Sequence, residues 1–283
     1  MLVRDLLHAL RGLRKSPAFA LTACLTIALG IGASTAIFSV VNAVLLQPLP
    51  YSHPDRLALV ESDLRTRNVS DFPLSPPDFD DIRRGATLFE DLAAVNTGRA
   101  VALQENAEPE QIRTGAVSPN FFRLLGAKLA LGRDFTSADG APPPLVPPGA
   151  QAQPIQVTAI ISYDYWQRRF GGDPGLVGRG IEFGNGGRAQ VAGVLAPGFE
   201  LLLPPRKNTE RVPDVWTALR VDYQNADRNG VFLYAIGRLK PGVSWQSARS
   251  QVDSIAADIN RRFTIKQTSG FQLRVESMQD LLV

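Results

Sequence analysis

From Ala18 to Leu46 the chain runs twenty-nine residues without a charged side chain, AFALTACLTIALGIGASTAIFSVVNAVLL, interrupted only by Ser, Thr and Asn. A helix crosses a hydrocarbon core of about 30 Å with roughly 20 such residues. At about 1.5 Å per residue this run reaches about 43 Å. The pattern predicts a membrane-spanning helix over 17–47, its last turns near Val40 to Leu46 standing clear of the lipid as a short stalk. Ser16-Pro17 reads as N-cap and first helical residue, and Pro48 and Pro50 end the element because proline offers no amide hydrogen. A cleaved signal peptide is the rival, but its apolar region spans 7–15 residues. Here apolar sequence continues ten residues past the small-residue stretch Ser34-Thr35-Ala36. An uncleaved anchor fits better.

Ahead of the anchor, Leu2, Leu6, Leu7, Leu10 and Leu13 recur at helical spacing while Arg4, Arg11 and Arg14 fall largely elsewhere on the wheel. That is the pattern of an amphipathic helix over 1–16 on the inner membrane surface, or of a merely basic flank. Within the span, Ala28, Gly32 and Ala36 repeat every four residues, with Gly30, Ala33 and Ser34 beside them. Small residues at this spacing let a second membrane helix approach closely, so the three are expected to form a helix-packing face; glycine and alanine are also simply frequent in spans.

Beyond the stalk the period shortens and alternates. Arg56 to Glu61 reads as a strand, and Ser75-Pro76-Pro77-Asp78 starts a helix burying Phe79 and Ile82. Leu92 to Asn96, Ala100 to Gln104 and Gln111 to Val117 read as three strands of a meander. Ser118-Pro119 is expected to cap a short helix carrying Phe121, Phe122 and Leu125, stopped by Gly126, and Gly132-Arg133-Asp134-Phe135 to make a turn. Val157 to Ile161 is a buried strand, and Ser162 caps a helix presenting Tyr165, Trp166 and Phe170. Gly178 to Phe183 and Arg188 to Val194 flank Gly184-Asn185-Gly186-Gly187, a hairpin signal. Asp214 to Leu219 and Val231 to Leu239 are strands. Ser244 then caps a helix with Ala248, Val252, Ile255, Ile259 and Phe263 on one face, and Phe271 to Glu276 returns as a strand. Strand, helix and strand at 231–276 form a βαβ unit, so the class is α+β.

Residues 137–154 depart from this alternation. Six prolines with one charge predict a flexible surface insertion, bounded at 136–155.

Charge sharpens the topology. The formal balance is +3, and all of it resides in residues 1–16, where Arg4, Arg11, Arg14 and Lys15 face only Asp5. The basic flank places the N-terminus in the cytoplasm and residues after about 47 in the periplasm, since positive residues stay inside. The neutral remainder of roughly 235 residues lacks the basic stripe that nucleic acid requires. Cys24, the single cysteine, lies inside the span, so no intrachain disulfide forms.

Candidate chemistry is sparse. His8 and His53 flank the anchor, and the sequence beyond them has no histidine for a Ser-His-Asp triad or the usual zinc sets. There is no G-x-x-x-x-G-K-[ST] phosphate loop. Asp78, Asp80 and Asp81 lack the glycine and distal glutamate of a calcium loop and are expected to sit at a helix start, favoured by its dipole. No catalytic, cofactor or metal residue is expected. Trp166, Phe121, Phe122 and Phe170 fall at core spacing.

The residues carry a family likeness. The basic amphipathic start, Leu29-Gly30-Ile31-Gly32-Ala33 in the span and Leu46-Gln47-Pro48-Leu49-Pro50-Tyr51 after it resemble the MacB/FtsX-like permeases of ABC transporters. Val117-Ser118-Pro119-Asn120-Phe121-Phe122, Leu125-Gly126-Ala127 and Leu131 to Phe135 continue the resemblance. It is most specific at Ile161-Ser162-Tyr163, Trp166 to Pro174 and Gly178-Arg179. Val191 to Val194, Ala196 to Phe199 and Gly237 to Ser244 follow in order. The phrasing looks most like the duplicated permeases encoded without an adjacent ATPase gene.

The resemblance implies a periplasmic core over 48–283 made of two α+β subdomains, the second inserted into the first. It implies a bacterial inner-membrane location, further permease helices or a second permease subunit, and a separate cytoplasmic ABC ATPase. On that reading the core relays movement of the membrane helices, in contact with envelope proteins, and carries no catalytic residues or cofactor. Relatives continue past the core into further membrane helices, whereas this sequence closes at Gln279 to Val283; three or more apolar segments encoded downstream would support the permease. The competing reading is a single-pass envelope sensor or scaffold with a ligand- or protein-binding ectodomain. The resemblance leaves the substrate open, since similar cores serve lipoproteins, peptides and small molecules.

Overall fold

In the computed structural model, which describes residues 17–45, 49–104, 107–144, 157–184, 187–204 and 209–282, Pro17–Leu45 is one unbroken helix, α1. By length and composition it is the one helix among the described residues able to cross a membrane. Phe19, Leu25, Leu29 and Phe38 are exposed along it, as suits a helix whose solvent is lipid. Thr22 and Thr26 donate their hydroxyls to the carbonyls of Ala18 and Thr22, each at 2.8 Å, so neither is left bare in an apolar medium. The surface helix expected over 1–16 lies outside the described residues. The chain divides into two units, one ending at Pro48 and the other Leu49–Leu282.

The second unit opens with β1 (Leu57–Leu64), β2 (Val69–Phe72), α2 (Pro76–Gly85), β3 (Phe89–Gln104) and β4 (Ala107–Val117). Next come α3 (Phe121–Leu125), β5 (Leu129–Gly132), β6 (Val157–Ile161) and α4 (Tyr163–Phe170). The strands β7 (Gly180–Phe183), β8 (Arg188–Leu195), β9 (Val215–Ala218) and β10 (Tyr234–Leu239) follow. The chain closes with α5 (Trp245–Arg262), α6 (Thr264–Ser269), β11 (Phe271–Ser277) and α7 (Met278–Leu282). The fold class is the expected α+β. All the strands join one eleven-stranded mixed sheet, ordered β11-β1-β10-β3-β4-β9-β6-β8-β5, with β2 on β1 and β7 joined to both β3 and β8.

Connectivity splits this sheet into two halves. β1, β2, β3, β10 and β11 make one half, and the segment from β4 to β9 makes the other, inserted between β3 and β10. The βαβ unit is of the split kind. β10 and β11 each run antiparallel to β1, which lies between them, so they are parallel to each other and α5 crosses over. Both faces of β1 are therefore covered. Ala58 and Val60 pack with Phe79 and Ile82 of α2 and with Ala248, Val252 and Ile259 of α5. Leu57 and Leu59 point the other way, toward Phe121 and Phe122 of α3 and Met278 of α7. A third core in the inserted half joins Tyr165 and Trp166 of α4 to Ile161, Val191 and Val194.

Ser75, Ser162 and Ser244 cap their helices as expected, accepting from the amides of Asp78, Tyr165 and Ser247 at 3.3, 3.2 and 3.1 Å. Ser118 does not. Asn120 holds the N-cap position of α3, while the Ser118 hydroxyl donates to Asn120 Oδ1 at 2.6 Å and accepts from the Ala94 amide at 2.9 Å. The residue that looked like a local cap is drawn to β3 instead, because an edge of that strand offers it a buried amide.

Two strands expected at 92–96 and 100–104 are one. Gly98 and Arg99 stay in the ladder opposite Thr114 and Arg113, and continuous pairing with β4 outweighs glycine's weak strand preference. The proline-rich insertion is anchored at its start. Asp139 accepts from Arg133 at 2.7 Å, from Thr136 and from Thr158 at 2.6 Å, and Arg220 donates to Ala141 O at 2.8 Å. The flexible segment expected from 137 onward thus begins as a bonded turn; residues 145–156 lie outside the described residues, as do Asn185 and Gly186 of the hairpin.

Candidate functional site: the Tyr51 clamp

The segment that leads into β1 is tied to the inserted half through Tyr51 and its neighbours. The Tyr51 hydroxyl donates to the carbonyl of Glu200 at 2.7 Å and accepts from the amide of Leu202 at 2.8 Å. Tyr51 is 7% exposed. Burial pushes its pKa well up, only partly countered by the Leu202 amide, so the hydroxyl stays protonated and keeps both bonds. The loop it grips, between β8 and β9, is braced by a backbone bond from Leu201 to Arg211 at 2.7 Å and by an ion pair from Arg211 to Glu200 at 2.5 Å. Next to the tyrosine, the Ser52 amide donates to Leu125 O at 2.9 Å, which ties the same segment to α3.

Aromatic rings continue the contact inward. Tyr51 lies 6.4 Å from Phe199, which meets Phe122 edge-on at 5.4 Å; Phe122 meets Trp216 at 5.4 Å and Phe121 at 5.3 Å. Such tilted and edge-to-face pairs are the preferred ring arrangements. Trp216 sits on β9 and is 1% exposed. It lies flat against Gly115 of β4, where an added Cβ would fall 2.3 Å from its ring. Only glycine leaves that space. A chain of rigid, closely packed side chains therefore runs from the start of the core to the middle of the sheet. Leu49 of the leading segment and Leu281 of α7 pack against this same cluster, so the first and last parts of the unit meet there.

A second constellation fastens α2 to the loop before β10. Asp78 pairs with Arg228 at 2.8 Å and with Lys266, and Asp81 pairs with Arg228 at 2.7 Å and with Arg262 at 3.2 Å. The Arg228 guanidinium also lies over the Phe263 ring at 3.7 Å. This corrects the expectation for the aspartate run. Only Asp78 stands in the first helical turn; Asp81 lies further along α2, and both are buried partners of cations from α5, α6 and a distant loop.

Ala28, Gly32 and Ala36 all lie on α1 and are exposed, and nothing stands within 4 Å of a Cβ added at Gly32. Phe121, Phe122 and Trp166 are core residues, as their spacing predicts, with Phe170 packed alongside. Among the described residues no group of three or more His, Cys, Asp or Glu is placed to hold a metal ion. Sequence reasoning names Tyr51 only within the Leu46 to Tyr51 motif and misses its role. The signal was there: a tyrosine directly after the prolines that end a span, where an amphipathic ring with a polar tip can join two segments.

The family model for the MacB-like periplasmic core domain matches residues 20–255. No curated protein matches the chain in sequence. Among solved structures, the fold is similar to a domain of a permease protein from Porphyromonas gingivalis, with TM-score 0.57, 17% identity, and coverage of 80% of this chain and 92% of that one. The periplasmic region of MacB from Actinobacillus actinomycetemcomitans is similar at TM-score 0.50 and 10% identity, over 77% of this chain and 88% of that one. The extracellular domain of the noncanonic ABC-type transporter YknZ from Gram-positive bacteria gives TM-score 0.50 and 14% identity, over 77% and 99%. The sheet with its inserted half, the apolar helix ahead of it and the family match over most of the chain agree: the protein belongs to the MacB-like periplasmic core domain family of ABC transporter permeases.

Proposed function

We propose that this chain is the membrane-anchored N-terminal part of a permease subunit, and that its core relays movement between membrane helices and the periplasm during export driven by a separate cytoplasmic ABC ATPase. The N-terminus is cytoplasmic, α1 spans the bacterial inner membrane, and the core from Leu49 onward is periplasmic. The core performs no catalysis. Its partners are further permease helices or a second permease subunit, which approach α1 along Ala28, Gly32 and Ala36, and envelope proteins at the far side.

The observation that carries this reading is the Tyr51 clamp. Movement of the segment ahead of β1 reaches the inserted half through two hydrogen bonds and a run of packed rings, with no flexible joint between. Close-packed interiors transmit displacement because they compress little. The basic flank of residues 1–16 supports the orientation.

The test is purification of the chain from membranes together with the further permease helices proposed to complete it. An ABC ATPase should co-purify, and Tyr51→Phe should leave that association intact while altering ATP hydrolysis by the complex. Absence of any co-purifying ATPase, or a variant indistinguishable from the parent in hydrolysis, would count against the relay.

A further inference from the structure

Away from the clamp, the inserted half holds a cleft of about 460 Å³ whose chemistry the relay does not use. That volume falls in the range of small-molecule sites, roughly 300–1,000 Å³. Leu176 and Ile181 form an apolar floor, both buried, with Tyr165 beside them. Three arginines from three separate elements line it, Arg169 from α4, Arg179 from the turn before β7 and Arg188 from the start of β8, with Glu182 the one carboxylate among the described lining residues.

Two of the three have protein partners. Arg169 donates to Glu108 O at 3.0 Å and lies 3.6 Å from Glu110, and Arg179 pairs with Asp173 at 3.1 Å. A guanidinium carries five N–H donors in a rigid fork, so each keeps donors to spare. Arg188 lies across Gly180, where an added Cβ would fall 2.4 Å from its Nε. No ion pair ties Arg188 to a described carboxylate, although Glu182 is its register partner across the hairpin. Tyr165 also lines the cleft; its ring is buried, while its hydroxyl makes no hydrogen bond to a described residue and is open to solvent. A hydroxyl free of protein partners can donate to a ligand's acceptor.

From this geometry we infer that the cleft binds a small amphiphilic anion, its carboxylate or phosphate taken by Arg188, Arg179 and Tyr165 and its apolar portion lying on Leu176 and Ile181. Planar, forked donors suit such oxyanions. The apolar floor disfavours a bare inorganic ion, which would have to give up water against it. This inference stands independently of the relay.

Calorimetry of the full chain in phosphatidylcholine nanodiscs tests it, with octyl phosphate as probe and inorganic phosphate and octyl glucoside as controls. Octyl phosphate should bind saturably, one per chain, and both controls at least about tenfold more weakly. Arg188→Gln should lower the affinity about tenfold or more while Arg188→Lys retains part of it, with unchanged thermal unfolding in both. Discs that also contain phosphatidylglycerol assign the source: loss of octyl phosphate binding there identifies a lipid headgroup, and unchanged binding a soluble anion. Absence of saturable heat, equal binding of octyl glucoside, or an Arg188→Gln variant that binds like the parent overturns the site.

Discussion

Tyr51 and Leu202 stand 151 positions apart in the chain and meet through a 2.8 Å hydrogen bond from the leucine amide to the tyrosine hydroxyl. Phenylalanine at position 51 would keep the ring contact with Phe199 and lose only the two polar bonds. The carbonyl of Glu200 and the amide of Leu202 would then lack that partner. The expected cost is about 1–3 kcal/mol. Chemical denaturation of the full chain in detergent measures it, and hydrogen exchange should speed up at residues 199–203 before it does so in β1. A loop that stays as protected as in the parent would show that the clamp is not what holds it.

Gly115 and Trp216 make a second, sterically defined prediction. Gly115→Ala places a methyl group inside the indole's volume. Either Trp216 or β4 must shift, at an expected cost of about 1–3 kcal/mol. Tryptophan fluorescence should change together with stability, because the ring would leave its packed site against Phe121 and Phe122.

Removing the charge of Asp78 should be the most damaging single change. Asp78→Asn leaves Lys266 and part of Arg228 buried without a countercharge. Breaking one side of a buried pair costs about 3–5 kcal/mol. Lys266→Met, which removes a charge and keeps the stem, should be milder. A double variant should recover part of the loss, and strict additivity in that cycle would sink the pairing.

Acid should loosen the inserted half through Asp139 and Asp214. Burial pushes both carboxyls up, but hydrogen bonds from Arg133, Thr158 and Thr136 in one case and from Arg113 and Arg168 in the other hold them below the usual range. A folded pKa lowered beneath the unfolded value of about 3.9 gives stability that is fully present above that value and lost as pH falls through the folded one. Asp134, raised by burial, acts in the opposite sense and offsets part of the loss. The stability gap between the parent and Asp139→Asn should therefore be widest near neutrality and narrow from about pH 5 downward. A gap constant with pH would remove Asp139 from the account.

On α1, Gly32→Leu should weaken crosslinking between α1 and a neighbouring span, read from cysteine pairs placed at Ala28 or Ala36. Close helix approach depends on small side chains at the contact. Unchanged crosslinking would argue against that face.

What could be read in the sequence was whatever is decided locally. Ser75, Ser162 and Ser244 announce helices because the cap bond spans three residues. The uncharged run to Leu46 announces a span because length and apolarity are sufficient signals. Contacts made across the sheet were not legible. Asp78 meets Arg228 and Lys266 over separations of 150 and 188 residues, and nothing in its neighbourhood distinguishes it from a residue that merely favours a helix dipole. Ser118 misled for the same reason, since its partner, the Ala94 amide, belongs to a strand 24 residues earlier. Gly98 looked like a break in β3 because the ladder that keeps it extended comes from β4. The cleft arginines carry no spacing signal at all, since three elements supply them.

Leu49 and Leu281 settle on one hydrophobic cluster, so the two ends of the described core share an anchorage. A domain attached in this way behaves as a cartridge. It can be set into another polypeptide at a single point without stretching either junction, and circular permutants that join its ends through a short linker and open it at Lys128 or Ala196 should still fold.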